Sequence, residues 1–257
     1  MSELSHSLER QALICATRGT VFSFFTQTER FAAWWGAGST IDARPGGVVR
    51  ICYPNGVVVS GAVLEVAPER RIVFTYGYEG PEPRIPPGGS RVTIELDDLP
   101  EGTLVRLRHE LADADNRDAH DPGWRYQLSV FANVAAADQH SDLSRVVDRW
   151  FEVWAITDAA ARRGALVEIV TDDVVYRDMH GCIAGIRDLE GHIGAAQQHI
   201  PGGVVARDGE PRVCQGACLV DWVARGVDGQ QVGRGTNACE LAPDGRVRRV
   251  VAFWATS

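Results

Sequence analysis

The sequence contains no lysine. All 26 cationic residues are arginine, which excludes Schiff-base chemistry and a lysine general base; the composition reads as an arginine bias. No apolar run approaches the roughly 20 residues that cross a bilayer, so no membrane span is expected. The opening stretch MSELSHSLERQ is polar and lacks the apolar segment of a secretory signal, so a cytoplasmic location is expected. Neither GxGxxG nor GxxxxGKS/T is present, which argues against a nucleotide cofactor, and no other cofactor is expected. With CxxC and HxxxH also absent, no metal site is expected. Net charge is −8, with 13 Arg against 18 acids in residues 1–140 and 13 Arg against 16 in 141–257. Without a basic stripe, nucleic acid is not an expected partner.

What is present is a chain of 257 residues, 45% hydrophobic, enough for one large domain or two ordinary ones. Six cysteines are read as reduced core residues, and CQGAC (214–218) as part of a strand. Strand-like alternation occurs at 8–16, 48–53, 57–66, 71–76, 91–96 and 103–111, after two short helices in 17–36. GPEPRIPPGG (80–89) marks a long hairpin loop. Trp124, Leu128, Phe131 and Val134 or Ala135 share a face of a helix over 123–136. The polar stretch ADQHSDLS sets a boundary near 140, giving domains 1–140 and 141–257.

The second domain begins with an amphipathic helix carrying Leu143, Val146, Val147, Trp150, Phe151 and Trp154. Thr157 or Asp158 caps the next helix. A short strand VVYRD (174–178), a helix over 186–200 and three long strands, 211–226, 231–241 and 246–254, complete it.

In VVYRD, strand parity puts Val174, Tyr176 and Asp178 on one face. Asp178 there is either a turn cap before Gly181 or a base in an apolar pocket. Parity also groups Asn237 with Cys239 and Leu241. His180, in the turn, orients Asp178 or faces water; His192 and His199 share a helix face at the mouth of a cavity. Asp221 and Trp222 are adjacent, so one of them faces inward. Trp150, Trp154, Trp222 and Trp254 suffice to wall an apolar ligand. In the first domain, His109 shares parity with Val105 and Leu107, with Trp124 as its neighbour.

TRGTVFSFFTQTERFAAWWG, IDARPGG, VSGAVLEVAPERRIVFTY, EGTLVRLRHE and the late GW helix start give residues 8–137 a resemblance to the SRPBCC or START-like superfamily, in the branch of activators of the heat-shock 90 ATPase. VVDRWFEVW, LVEIVTDDVVYRD, GIRDLEGHI and ELAPDGRVRRVVAFW make residues 142–256 resemble the SnoaL-like polyketide cyclase and ketosteroid isomerase superfamily, of nuclear transport factor 2-like fold. The two resemblances imply an α+β protein of two domains. The first is a helix-grip antiparallel sheet with a long C-terminal helix. The second is a cone-shaped α+β barrel with a curved antiparallel sheet, which implies a homodimer through that domain.

Asp178 takes the position of that superfamily's catalytic aspartate, while Asn237 stands where the isomerases carry an acid and Trp150 where they carry a tyrosine. The reading that follows is a cofactor-independent cyclase, isomerase or dehydratase acting on a small apolar carbonyl compound. Asp178 is its base, Asn237 its polariser and His180 an auxiliary group. Trp150, Trp154, Tyr176, His192, Asp221, Trp222 and Trp254 are substrate contacts, as are His109 and Trp124 in the first domain. The alternative is a non-catalytic protein that binds or carries a hydrophobic ligand.

Overall fold

The alternation in the first expected strand forms β1 (His6–Ile14), with Leu8 and Ile14 in the core and Glu9 in solvent. The computed structural model describes residues 4–199 and 201–255, and its contacts divide the chain into two units, 1–138 and 139–257.

In the first unit β1 is followed by α1 (Arg18–Ser23), α2 (Thr28–Trp35), β2 (Thr40–Ile41), β3 (Val48–Cys52), β4 (Val58–Ala67), β5 (Arg71–Tyr76), β6 (Ser90–Leu99), β7 (Gly102–Leu111) and α3 (Ala114–Gln139). The strands form one antiparallel sheet in the order β1-β7-β6-β5-β4-β3-β2. The loop between β5 and β6 is pinned by buried Ile85, whose carbonyl accepts from the Tyr78 N–H. Phe24, Phe25 and Trp34 meet Phe131 of α3, and Trp35 meets Trp124, so the long helix joins the core through one aromatic stripe.

That helix starts nine residues before the expected position. Pro122, just ahead of the expected start, lies inside α3. Asp113 accounts for the early start: its carboxylate accepts from the Asn116 N–H and side-chain amide, as a cap does. The polar segment after 136, expected as a linker, stays helical to Gln139.

The second unit comprises α4 (Leu143–Val153), α5 (Ala159–Ile169), β8 (Val170–Asp178), β9 (Gly181–Ala184), α6 (Ile186–His199), β10 (Val204–Arg207), β11 (Arg212–Cys214), β12 (Ala217–Arg225), β13 (Gln231–Leu241) and β14 (Val247–Trp254). Of the two candidate caps, Asp158 is the one that holds α5, accepting from the Ala161 N–H. The sheet runs β10-β12-β13-β14-β8-β9, with β11 beside β12. It is open rather than a closed barrel, and β14 runs parallel to β8, two departures from the expected curved antiparallel barrel. The single strand expected over 211–226 is a hairpin. Gln215 (φ 46°) and Gly216 (φ 84°) are both left-handed, which makes CQGAC a two-residue turn rather than strand.

The three helices contribute one apolar face each. Leu143, Val147, Trp150 and Phe151 of α4 are buried at the expected spacing. Arg162 on α5 and Glu190 on α6 are both buried and bonded, with the guanidinium also held by the Ile156 carbonyl and Gln197. No described helix is long and apolar enough to cross a membrane.

Candidate functional site

Strand β8 delivers Val174 and Tyr176 to the core and ends on Asp178, whose side chain is 3% exposed. Asp178 Oδ1 accepts from the backbone N–H groups of His180 (2.8 Å) and Gly181 (2.9 Å). Its Oδ2 lies 3.1 Å from the Tyr176 hydroxyl, which donates, and 3.3 Å from His192 Nε2. Asp178 is therefore a turn cap and a buried acceptor at once. The two backbone N–H groups and the Tyr176 hydroxyl are three donors to a carboxylate with roughly four lone-pair positions, and the His192 ring stands beside the fourth.

Beside this cluster lies a cavity of about 100 Å³ walled by Trp150, Trp154, Tyr176, Trp222, Trp254 and Asn237. Asp178 is outside the wall; Tyr176 links the two, its ring in the wall and its hydroxyl on the carboxylate. Burial, then the neighbouring Asp178, pushes the Tyr176 phenol well above its ordinary range, so it stays a neutral donor. Trp222 meets Trp254 edge-on at 5.0 Å. Its ring is seated over Gly235, where an added Cβ would stand 2.6 Å from the indole and 2.0 Å from the Phe253 carbonyl oxygen. Asn237 is 4% exposed. Its side-chain oxygen and the Trp222 indole N–H are both buried without a partner. An unmade hydrogen bond in such a place costs about 1–3 kcal/mol.

The first unit holds a larger cavity, of about 370 Å³, whose wall includes Trp34, Trp35, Tyr53, Tyr78, His120 and Trp124. His109 lies behind it. The indole of Trp124 donates to His109 Nδ1 (2.9 Å), so His109 carries its hydrogen on Nε2 and donates to Ser90 Oγ (2.8 Å), which itself donates to the Tyr76 carbonyl. Burial, and then the neighbouring His120, lower the His109 pKa to about 3.

Residues 15–136 match the family model of Activator of Hsp90 ATPase homolog 1-like protein. An AHSA1-like protein of Rhizobium etli is 31% identical, over 51% of this chain and 82% of its own, with a TM-score of 0.42. The chain belongs to this family through its first domain. Two further solved structures are similar. A SnoaL-like family protein of Agrobacterium tumefaciens, provisionally assigned as an isomerase, is 24% identical over 46% of this chain and 99% of its own (TM-score 0.42). CalU16 of Micromonospora echinospora is 24% identical over 51% and 77% (TM-score 0.42). No curated protein matches the chain.

In the AHSA1-like domain, Trp124 is in the cavity wall, but His109 does not line it: both ring nitrogens are engaged by the protein. In the second domain Trp150, Trp154, Tyr176, Trp222, Trp254 and Asn237 converge on one cavity. His192 stands behind Tyr176, at 5.2 Å ring to ring. His199 is exposed.

Two expectations are corrected. The His180 imidazole stands edge-on to Trp254 at 6.0 Å, and His180 reaches Asp178 only through its backbone N–H. Asp221 is on the opposite face of β12 from buried Trp222, where it binds Thr236 and Arg212. Among the described residues, no group of His, Cys, Asp and Glu is placed to hold a metal ion.

The expected site residues omit the tyrosines of the AHSA1-like domain. Tyr76 ends β5, Tyr53 follows β3 directly, Tyr78 lies in the loop after β5, and His120 is in the early part of α3 that the expected start at 123 left out. The alternation of Tyr76 and Tyr78 two residues apart was the one local signal.

Proposed function

We propose that the second domain binds a small apolar molecule carrying one polar group, in the tryptophan-walled cavity, with Asn237 meeting that group. The observation that carries this reading is the buried Asn237 side-chain oxygen, which lacks a protein partner in a wall otherwise made largely of aromatic rings. A cavity of about 150 Å³ takes benzene, so the ligand, or the part of it held inside, is of one-ring size. Trp254, at 37% exposure, forms the open side through which a longer molecule extends.

A second reading rests on the contact between Tyr176 and Asp178. The carbon next to a ligand carbonyl gives its proton to Asp178, its electron pair moves to the carbonyl oxygen, and the Asn237 amide N–H stabilises the enolate. This chemistry needs no cofactor, but Asp178 already accepts from three donors, the Tyr176 hydroxyl among them, and is outside the cavity wall, so binding is the better supported reading. Cyclohex-2-enone, phenol and toluene, titrated against tryptophan fluorescence, test the first reading. Asn237→Leu should remove the preference for phenol, whose hydroxyl can donate to the Asn237 oxygen, and leave toluene unchanged. Proton-deuteron exchange next to the enone carbonyl, followed by NMR, tests the second: exchange abolished in Asp178→Asn supports it, and binding without exchange sinks it.

Homodimerisation through the second domain is part of the same proposal. Leu219 and Phe253 leave an apolar outer sheet face exposed, and sedimentation of Phe253→Glu should show a monomer where the unaltered chain is a dimer.

A further inference from the structure

The cavity of the AHSA1-like domain ends on a hydrogen-bonded chain whose polarity is fixed. His120 Nδ1 lies 2.7 Å from the Asn116 carbonyl oxygen, which can only accept, so the imidazole hydrogen is on Nδ1 and Nε2 is an acceptor. Tyr78, 2.9 Å from Nε2, must therefore donate to it. Having spent its one hydrogen, Tyr78 accepts from Tyr76 at 3.3 Å. Tyr76 in turn accepts from Tyr53 at 3.1 Å. Every hydroxyl points toward His120, and the last one, Tyr53, has only lone pairs left to offer. Burial pushes the Tyr53 phenol up to about 12 and lowers the His120 pKa, so neither end ionises near neutral pH.

A second group completes the picture. Trp35, 2% exposed and in the same wall, has a buried indole N–H with no partner. Its ring meets Tyr53 edge-on at 5.7 Å. The wall thus offers an acceptor and a donor on two neighbouring aromatic rings. A hydroxyl satisfies both, because it donates and accepts; a carbonyl or an ether can only accept. The remaining walls are aromatic faces, Trp34 and Trp124 among them.

We infer that the AHSA1-like domain is a binding site for aromatic hydroxyl compounds, selected over the matching ketones and ethers by the directed Tyr53–Tyr76–Tyr78–His120 chain and the free Trp35 N–H. The inference concerns the first domain and is independent of the reading given for the second.

The test uses the full chain and three probes of one shape: 2-naphthol, 2-methoxynaphthalene and 2-acetylnaphthalene, titrated by calorimetry. The unaltered protein should bind 2-naphthol about tenfold more tightly than the ether, the value of the one well-placed hydrogen bond that the ether cannot donate to Tyr53. Tyr78→Phe frees the Tyr76 hydrogen to turn toward Tyr53, which in turn frees the Tyr53 hydrogen for the cavity. The affinities for 2-acetylnaphthalene and 2-methoxynaphthalene, which both only accept, should then rise several-fold relative to that for 2-naphthol. Gly123→Trp locates the binding: Gly123 is in the wall, and an added Cβ meets nothing within 4 Å, so the indole should fill the cavity without unfolding the domain and should abolish binding of all three probes. Equal affinity for naphthol and its ether, binding that survives Gly123→Trp, or an unchanged order of preference in Tyr78→Phe would each overturn the inference.

Discussion

Tyr176 donates its hydroxyl hydrogen to Asp178, two residues further along the same strand, across 3.1 Å. The contact makes one carboxylate the shared acceptor for a cavity residue and for the turn that follows it. Asp178→Ala should strip the acceptor from the His180 and Gly181 N–H groups and from Tyr176 together, destabilising the second domain by about 1–3 kcal/mol. Hydrogen exchange read by NMR should show protection lost first at 180 and 181. Asp178→Asn, which keeps one acceptor oxygen, should lose less. Unchanged protection in the alanine variant would contradict the role given to the carboxylate.

The Glu190 carboxyl is held below the ordinary glutamate range, first by its hydrogen bond from Arg162 and against the opposing effect of burial. A carboxyl with a depressed folded pKa contributes stability that is present above its unfolded value of about 4.3 and is lost as the pH falls through the folded value. The difference in thermal midpoint between the unaltered chain and Glu190→Gln should therefore be largest at neutral pH and should shrink on acidification below about pH 4. A difference independent of pH would remove ionisation from the account.

His109 has the opposite charge type but the same direction of dependence. Its folded pKa of about 3 lies below the unfolded value. Between that folded value and about 6.5 the unfolded chain binds one more proton than the folded one, so stability falls as the pH is lowered, by at most about 1.4 kcal/mol per pH unit. His109→Gln should flatten this part of the stability profile, measured by urea unfolding between about pH 4 and pH 6.5. In the unaltered protein, nitrogen-15 NMR should find His109 neutral with its hydrogen on Nε2 throughout that range.

Gly235→Ala should damage the second cavity without replacing a polar side chain. The new methyl would meet the Phe253 carbonyl at 2.0 Å and the Trp222 indole at 2.6 Å, and overpacking of this kind costs about 1–3 kcal/mol. A shift in tryptophan emission together with weaker binding of one-ring probes is the expected result; an unchanged spectrum would count against the seating of Trp222 on this glycine.

Much of the cavity wall was legible in the sequence because strand parity and helix periodicity are local. Tyr176 sits inward with Val174, Asn237 with Cys239 and Leu241, and Trp150 on the stripe of α4. What local patterns do not carry is which residues meet across strands. Asn237 lies between Val220 and Ala252 through two pairing registers, and nothing near residue 237 specifies them. The Arg162–Glu190 bond joins two helices 28 positions apart. The tyrosine chain needed both limits lifted: it joins one strand end, two loop positions and a helix that starts nine residues before its expected position. Asp178 was ambiguous in the sequence because a turn cap and a pocket carboxylate leave the same pattern, and the side chain makes contacts of both kinds.

The parallel seat of β14 between β13 and β8 also governs how the second domain is made during translation. Strands β8 and β9 leave the ribosome first, yet among the described residues their only partner in the rest of the sheet is β14, which follows β10 to β13 in the chain. Until residues 247–254 emerge, the growing chain holds a two-stranded ribbon with a bare edge and an unfinished sheet still without Trp254. Binding competence of this domain should therefore arise abruptly once β14 has emerged, and a ribosome stalled ahead of β14 would display that edge to other chains.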